Sequence, residues 1–428
     1  MTATGLFSAD GVSRSSSQLS FSREGALSHR LFERLSPTEH TLIHLANPVA
    51  APASWPGADW KALDALVRRL GLVARLGSQA ERLSAAGVPA IWVERWMDAW
   101  RAQAARNLLI AHEEETLLEA LASGGIAAMP LKGVSLAQIL HRDPTIRLVT
   151  DIDIAIRRED VARAAGILEQ MGYTTSLPRG LMRHSAFLAS ADEHTAEMLY
   201  QREHAGFPLL VELHWNVLPL REQIVWCSLS DYPTPGLPVR TLSPDLYLLY
   251  LCAHVSGHGW VSLRWLCDLA DFLLRFADNV EAARFLWHCA AARLRLRAGV
   301  TFELIEAYFG MSWRPVDVLR DARTCRMAAE FLLHPLVPAL ELGVAATHRE
   351  RLRLQDNGWE RLRYLWWLAH PTRIEYESGR GSLRSDAMAW LVRATRLARL
   401  AWLERHQRGF SEHSGVGVNT SAQSEGKA

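Results

Sequence analysis

The sequence predicts an α+β fold in which a small mixed β-sheet unit is flanked by an N-terminal helical region and a larger, all-helical C-terminal one. Two observations carry this. Apolar residues alternate with period two only between about residues 122 and 238, the mark of half-buried strands. On either side, over about 58–121 and 244–405, they recur three and four apart with few breakers, which is the helical period. The tryptophans agree: of 16, only Trp215 and Trp226 lie between Leu121 and Pro238, so the indoles belong to the helical scaffold.

In chain order, residues 1–54 begin Ser-rich and are expected to be loosely ordered. The helical region is assigned to 55–121. Trp92, Trp96 and Trp100 stand at i, i+4 and i+8 on one helix face, a spacing that marks helix packing more readily than a stacking platform. A second helix is expected over about Arg101 to Leu121, with Glu113, Glu114 and Glu115 as a solvated face. After Gly124-Gly125, Ile126 to Leu131 reads as a strand ending at the turn Lys132-Gly133-Val134-Ser135. A short helix, Leu136 to His141, stops at Asp143-Pro144. Asp151 to Ile156 alternates strictly and predicts a strand, and Glu159 to Met171 predicts a helix closed by Gly172. Ala196 to Arg202 and Pro208 to Trp215, joined at His204-Ala205-Gly206, read as a hairpin. These segments form a core over 122–238 that ends in a Pro-rich linker. Helices then fill 239–405, with breaks near Gly257, Gly310, Pro335 and Pro371, and 406–428 is a polar tail.

Composition excludes several classes. With 47 basic against 46 acidic residues and a net charge of +1, the chain lacks the basic excess of a duplex-binding protein, and no duplex nucleic acid is expected. The 5 cysteines are odd in number and form no C-x-x-C pair, so neither a disulfide framework nor a zinc ribbon is indicated. No segment reaches the ~20 apolar residues of a membrane span, and the N-terminus lacks the apolar core of a signal peptide. A cytoplasmic protein is expected.

Asp151 and Asp153 are the sharpest chemical feature. Two apart on a strand, their carboxylates share one face, about 7 Å apart at Cα, while Ile152, Ile154 and Ile156 point to the core. Paired carboxylates on a rigid face suit a hard cation such as Mg²⁺. Glu212, alone in the run Leu209-Leu210-Val211-Glu212-Leu213, adds a third if its strand lies beside the first; an acid in such a run is costly unless paired or metal-bound. The Lys132-Gly133-Val134-Ser135 turn opens a helix, so its backbone N–H groups can cradle an anion. Arg147, four residues before Asp151, is placed to fork onto phosphate oxygens.

These residues resemble a family: the uncharacterised branch of bacterial nucleotidyltransferase-like proteins in the polymerase-β-type nucleotidyltransferase superfamily. The matching stretches are Leu131-Lys132-Gly133, Arg147 to Ile154, Val211-Glu212-Leu213-His214-Trp215, His254 to Trp260 and Leu263 to Asp268, so the likeness spans roughly Asn107 to Asp271. The chain departs from the superfamily in having Gly133-Val134-Ser135 where Gly and Ser are usually adjacent, and in a longer interval from Gly133 to Asp151. The resemblance implies a nucleotidyltransferase core in which Asp151, Asp153 and Glu212 bind two Mg²⁺ ions and act catalytically. Gly133 and Ser135 would hold the triphosphate of an NTP such as ATP, and Lys132 and Arg147 are added to that nucleotide-binding set. The implied reaction moves a nucleoside monophosphate to a small-molecule, glycan or protein acceptor and releases pyrophosphate. Rival readings are an inactive interaction protein that keeps the fold, and an antitoxin-like transferase that modifies a partner protein.

Other features rank lower. His254 and His258 stand at i, i+4 with Asp268 beyond them; a zinc site is weighed against a polar packing network, and packing is expected. With His214, which alternates with Glu212, they are also candidates for the lining of the substrate cleft. Arg399 and His406 have the spacing of an R-x-x-x-x-x-x-H ribonuclease motif, read as chance. The amphipathic stretch Leu383 to Arg405 is expected to pack on preceding helices with its arginines outward, not to lie on a membrane surface.

Overall fold

The computed structural model describes residues 18–22, 25–49, 55, 57–175, 197–204, 206–235, 238–336, 344–369 and 393–395. Its N-terminal part runs β1 (Leu19–Phe21), α1 (Ala26–Phe32), α2 (Pro37–Ala46), α3 (Trp60–Arg69), α4 (Val73–Gly77), α5 (Ala80–Ala85) and α6 (Ala90–Ser123). The stretch 1–54, expected to be loosely ordered, therefore contains a strand and two helices. Ser36 and Glu39 form a reciprocal capping box ahead of Pro37, which satisfies N–H groups that a helix start leaves unpaired. Leu31, Leu42 and Ile43 are fully buried, and this burial anchors the segment.

α6 is one helix of 34 residues, not two meeting near Arg101. It contains no Gly or Pro, so nothing interrupts its hydrogen-bond ladder. Buried Trp96 donates to Asp64 on α3 at 2.9 Å, and Trp100 donates to Thr145 O at 3.1 Å; the indole stripe is a packing ridge. Gly77 permits the close approach of α4, since a Cβ there would lie 2.4 Å from Trp96 O. The acidic run needs correction: Glu115 is exposed, but Glu113 and Glu114 are buried. Three and four residues past buried Ile110, they lie on the stripe that continues through Leu117 and Leu121.

The central unit comprises β2 (Ala128–Pro130), α7 (Gly133–His141), β3 (Ile152–Ile156), α8 (Val161–Gln170), β4 (Glu197–His204) and β5 (Phe207–His214). Its sheet has the order β2-β3-β5-β4, with β3 and β5 parallel and the other neighbours antiparallel. Asp153 lies opposite Glu212 and Ala155 opposite His214, while Glu197 lies opposite His214 across the β4–β5 hairpin. Ile152, Ile154, Ile156, Val211, Leu213 and Met198 make the apolar face, buried against α6 and α8. Burial of each such side chain contributes about 2 kcal/mol, and a slip of one residue would drive the acids into this core. That preference leaves Asp153, Glu212, His214 and Glu197 together on the opposite face. α9 (Glu222–Trp226) follows, then β6 (Leu229–Tyr232) and β7 (Val239–Leu242), an antiparallel pair flanking the Pro-rich stretch.

The remaining helices are α10 (Pro244–Gly257), α11 (Leu263–Phe276), α12 (Ala282–Ala291), α13 (Arg295–Phe309), α14 (Ala322–Glu330), α15 (Val344–Arg353) and α16 (Gly358–Ala369). α10 and α13 are buried on nearly every side; α13 does so while carrying buried Arg297, Thr301 and Glu303, of which Arg297 donates to Ser256 Oγ and Thr301 to Arg297 O. β8 (Met311–Trp313) pairs with β1, so strands are not confined to the middle of the chain. No helix among the described residues is long and apolar enough to cross a membrane. The Arg399/His406 spacing, the 406–428 tail, and the 383–405 stretch apart from 393–395 lie outside the described residues.

Candidate active site

The polar face of the sheet gathers opposing charges. Asp153, 1% exposed, meets Lys132 Nζ at 2.8 Å and His214 Nε2 at 3.1 Å, both through Oδ1. His214 also approaches Glu197 through Nδ1 at 3.5 Å and Glu212 through Nε2 at 3.6 Å. Burial opposes charge on this ring, but hydrogen bonds to Asp153 and Glu212 and the surrounding carboxylates raise its pKa to about 9; it is an imidazolium at neutral pH. Burial likewise opposes ionisation of Asp153 and Lys132. Each nevertheless holds the other charged, the acid well below the usual carboxylate range and the amine above the usual lysine value. Half-buried Asp151 sits just ahead of β3, and burial, then the charges of Asp153 and Glu212, push its carboxyl up.

The turn at Lys132 is fixed from several sides. Leu131 N donates to Asp153 O at 3.0 Å, and Leu131 O accepts from Tyr247 at 2.6 Å. Gly133 opens α7 with φ +62, and a Cβ there would lie 3.2 Å from Asp151 O. The turn thus rests on the backbone of the first acid, in a conformation that glycine adopts without penalty. Ser135, expected on the triphosphate, is buried and donates its hydroxyl to Glu114 of α6. Glu114 is the participant that sequence reasoning missed. Burial raises its pKa to about 8, opposed by the Ser135 hydrogen bond and reinforced by the charge of Asp153. Its Oε2 has no hydrogen-bond partner among the described residues. Its place on the apolar stripe between Ile110 and Leu117 was the available signal.

α6 also positions the segment leading into Asp151. Gln103 and Asn107 donate to Arg147 O at 3.1 and 2.7 Å, and Asn107 also to Pro144 O at 2.8 Å. The side chain of Arg147, expected to fork onto phosphate, commits its Nε to Asp268 Oδ2 at 3.0 Å, both residues being buried. Asp268 is therefore a partner of Arg147 and does not join His254 and His258. Those imidazoles lie 4.9 Å apart and pack about Trp265, the arrangement of a packing network. His254 remains near the site: burial first, then the charges of Lys132 and His258, keep it neutral, and its Nε2 has no hydrogen-bond partner among the described residues. Tyr250, one turn earlier on α10, also feels the charges of Lys132 and Asp153.

The donors decide whether a metal suits this face. Among the described residues, only Asp153, Glu212 and His214 bring three possible ligand atoms within 4.8 Å of one another. His214, held protonated by its acids, has no lone pair to offer, so the ligands of this close set are the carboxylates of Asp153 and Glu212, and Asp151 stands outside it. Asp151, Asp153, Glu197 and Glu212 face two cationic side chains, Lys132 and His214. A face rich in hard oxygen donors, with its acids repelling one another, fits a divalent ion.

Acids in register on a mixed sheet, beneath a glycine turn that opens a helix, define a nucleotidyltransferase core. A family model described as "Uncharacterised nucleotidyltransferase" matches residues 56–310. This is more than half of the chain, and the protein belongs to that family. It is a nucleotidyltransferase, with a nucleoside triphosphate as the substrate the family implies. No curated protein and no solved structure matches the chain.

Proposed function

We propose that the protein transfers a nucleoside monophosphate from an NTP to an acceptor oxygen in a Mg²⁺-dependent reaction at Asp151, Asp153 and Glu212. The parallel register that sets Glu212 beside Asp153 is the observation that supports this most. One or two Mg²⁺ ions held by these carboxylates would neutralise charge on the transferring phosphate and on the pyrophosphate.

The chain's own residues supply the rest. Backbone N–H groups at Gly133 and the start of α7 receive the triphosphate, and the Lys132 ammonium both neutralises Asp153 and stands ready for phosphate oxygens. His214, bonded to Asp153 and close to Glu212, orients the two acids. The acceptor oxygen attacks the α-phosphorus, the bond to the bridging oxygen breaks, and pyrophosphate leaves. Asp153 or Glu212, each a carboxylate of the metal-binding set, would take the acceptor's proton.

Calorimetric titration of Mg·ATP and Mg·GTP into the full chain tests the reading, with Asp151→Asn/Asp153→Asn as the control. Binding by the wild type that the double change abolishes supports it. Failure to bind any nucleotide, or binding that survives the double change, refutes it.

A further inference from the structure

The interval from Gly133 to Asp151 is long, yet its two ends meet: a Cβ on Gly133 would lie 3.2 Å from Asp151 O and 3.6 Å from Val149 Cγ1. Contacts from α6 hold both ends. Trp100 and Gln103 donate to Thr145 O and Arg147 O, both at 3.1 Å, and Asn107 donates to Pro144 O and Arg147 O at 2.8 and 2.7 Å. Two turns further on, about 10 Å along the axis, Glu114 accepts from Ser135. Ile110 and Leu117 join Val134 and Val149 in one apolar cluster. Positions 100, 103, 107, 110, 114 and 117 alternate three and four apart, so one stripe of α6 touches both the segment leading to the first acid and the helix opened by the turn.

The polar members of this stripe are an expensive way to pack a scaffold. Asn107 is fully buried and Glu114 is 4% exposed, and Asn107 Oδ1 and Glu114 Oε2 have no hydrogen-bond partner among the described residues; apolar side chains there would avoid that desolvation cost. Hydrogen bonds supply direction instead. They fix the distance and orientation of the groups they join, where apolar contacts leave room to slide. α6 has 34 residues with no Gly or Pro, so a shift at Asn107 is carried stiffly to Glu114. Alignment at this scale matters to catalysis, since a misplacement of about 1 Å can cost about a hundredfold in rate.

We propose that Asn107 and Glu114 are positioning residues of the transfer reaction, through which α6 sets the Gly133 turn against Asp151 across the long interval between them. The proposal rests on the nucleotidyl-transfer reading for what the turn and the acid bind, and on the α6 contacts alone for the alignment. Ser135 then serves the triphosphate indirectly: its hydroxyl, given to Glu114, ties the first turn of α7 to the rod that also holds the approach to Asp151.

Two measurements on the full chain test the assignment in Asn107→Ala and Glu114→Ala: Mg·ATP calorimetry, and amide hydrogen exchange over residues 131–137 and 147–153. Each variant should weaken nucleotide binding roughly tenfold and speed exchange in both segments, although each side chain bonds to only one of them. Glu114→Gln, which keeps an oxygen for Ser135, should restore binding. Trp96→Phe, on the same helix, controls for lost global stability and should leave nucleotide affinity unchanged. Affinity equal to wild type in both alanine variants, or faster exchange confined to the segment each one touches or no greater than in Trp96→Phe, overturns the proposal. Should an alanine variant fail to fold, Asn107→Ser or Ser135→Ala takes its place, with exchange in the segment it does not touch as the deciding readout. If the wild type binds no nucleotide, the transfer reading fails, and the exchange data decide the alignment by themselves: linked loosening of the two segments supports it and independent loosening overturns it.

Discussion

Glu114→Gln should remove a pH-dependent component of stability between pH 5 and 8. The side chain is 4% exposed, accepts from Ser135 and leaves Oε2 without a hydrogen-bond partner among the described residues. Burial raises its folded pKa to about 8 from an ordinary 4.5, so over that window the folded protein keeps a proton that the unfolded chain releases. The unfolded state then binds fewer protons, and stability falls as pH rises, levelling off above the folded pKa. At roughly 1.4 kcal/mol per unit, this one group withdraws about 3 kcal/mol between pH 5 and 8. Glutamine presents the same oxygen to Ser135 but has no proton to lose, so the variant lacks this component. Urea unfolding of metal-free wild type and variant at pH 5, 6, 7 and 8 measures the difference, and contributions from other titrating groups cancel in the subtraction. The variant should gain about 3 kcal/mol relative to wild type across the series. Parallel curves would refute the assignment of a neutral acid beneath the Gly133 turn.

Three further outcomes follow from the same geometry. Gly133→Ala puts a Cβ 3.2 Å from Asp151 O at φ +62; it should cost about 1–2 kcal/mol of stability and weaken Mg·ATP binding, and calorimetry equal to wild type would contradict the role given to the turn. Asp271→Ala strips buried Arg75 of its carboxylate and should cost about 3–5 kcal/mol in urea unfolding; a loss under about 1 kcal/mol would class the pair with surface bridges. Trp96→Phe removes the donor to buried Asp64 and should cost about 1–3 kcal/mol without changing nucleotide affinity, because the ridge packs the scaffold and lies apart from the acids; a change in nucleotide Kd would argue against that separation.

Much of the fold is legible locally. The alternation in Asp151 to Ile156 and in Leu209 to Trp215 follows from two chemically different sheet faces, and it places Asp153 and Glu212 on the polar side of their own strands whatever the rest of the chain does. The tryptophan spacing on α6 and the Gly133 turn are local in the same sense. Composition alone reads a run of acids as a solvated face, although the positions of Glu113 and Glu114 continue the stripe of Ile110 and Leu117. Glu113 is compensated there by Tyr173 at 2.8 Å and Arg202 at 2.6 Å, both remote in sequence.

Which charges meet is a different matter. Asp153 finds Glu212 through a parallel register set by the crossover and by burial of the opposite face. Arg147 finds Asp268, 121 residues away, and is thereby diverted from the phosphate role its spacing suggests. Ser135 turns to Glu114, 21 residues earlier, because α6 runs beneath the turn. The amino-acid sequence by itself determined the strands, the helical flanks and the carboxylates available to one face, since period and propensity act over a few residues. The pairings that make Asp153 a doubly compensated acid and Glu114 a buried partner were decided only by tertiary structure, because Coulombic and hydrogen-bond partners are chosen by distance in space and not by distance along the chain.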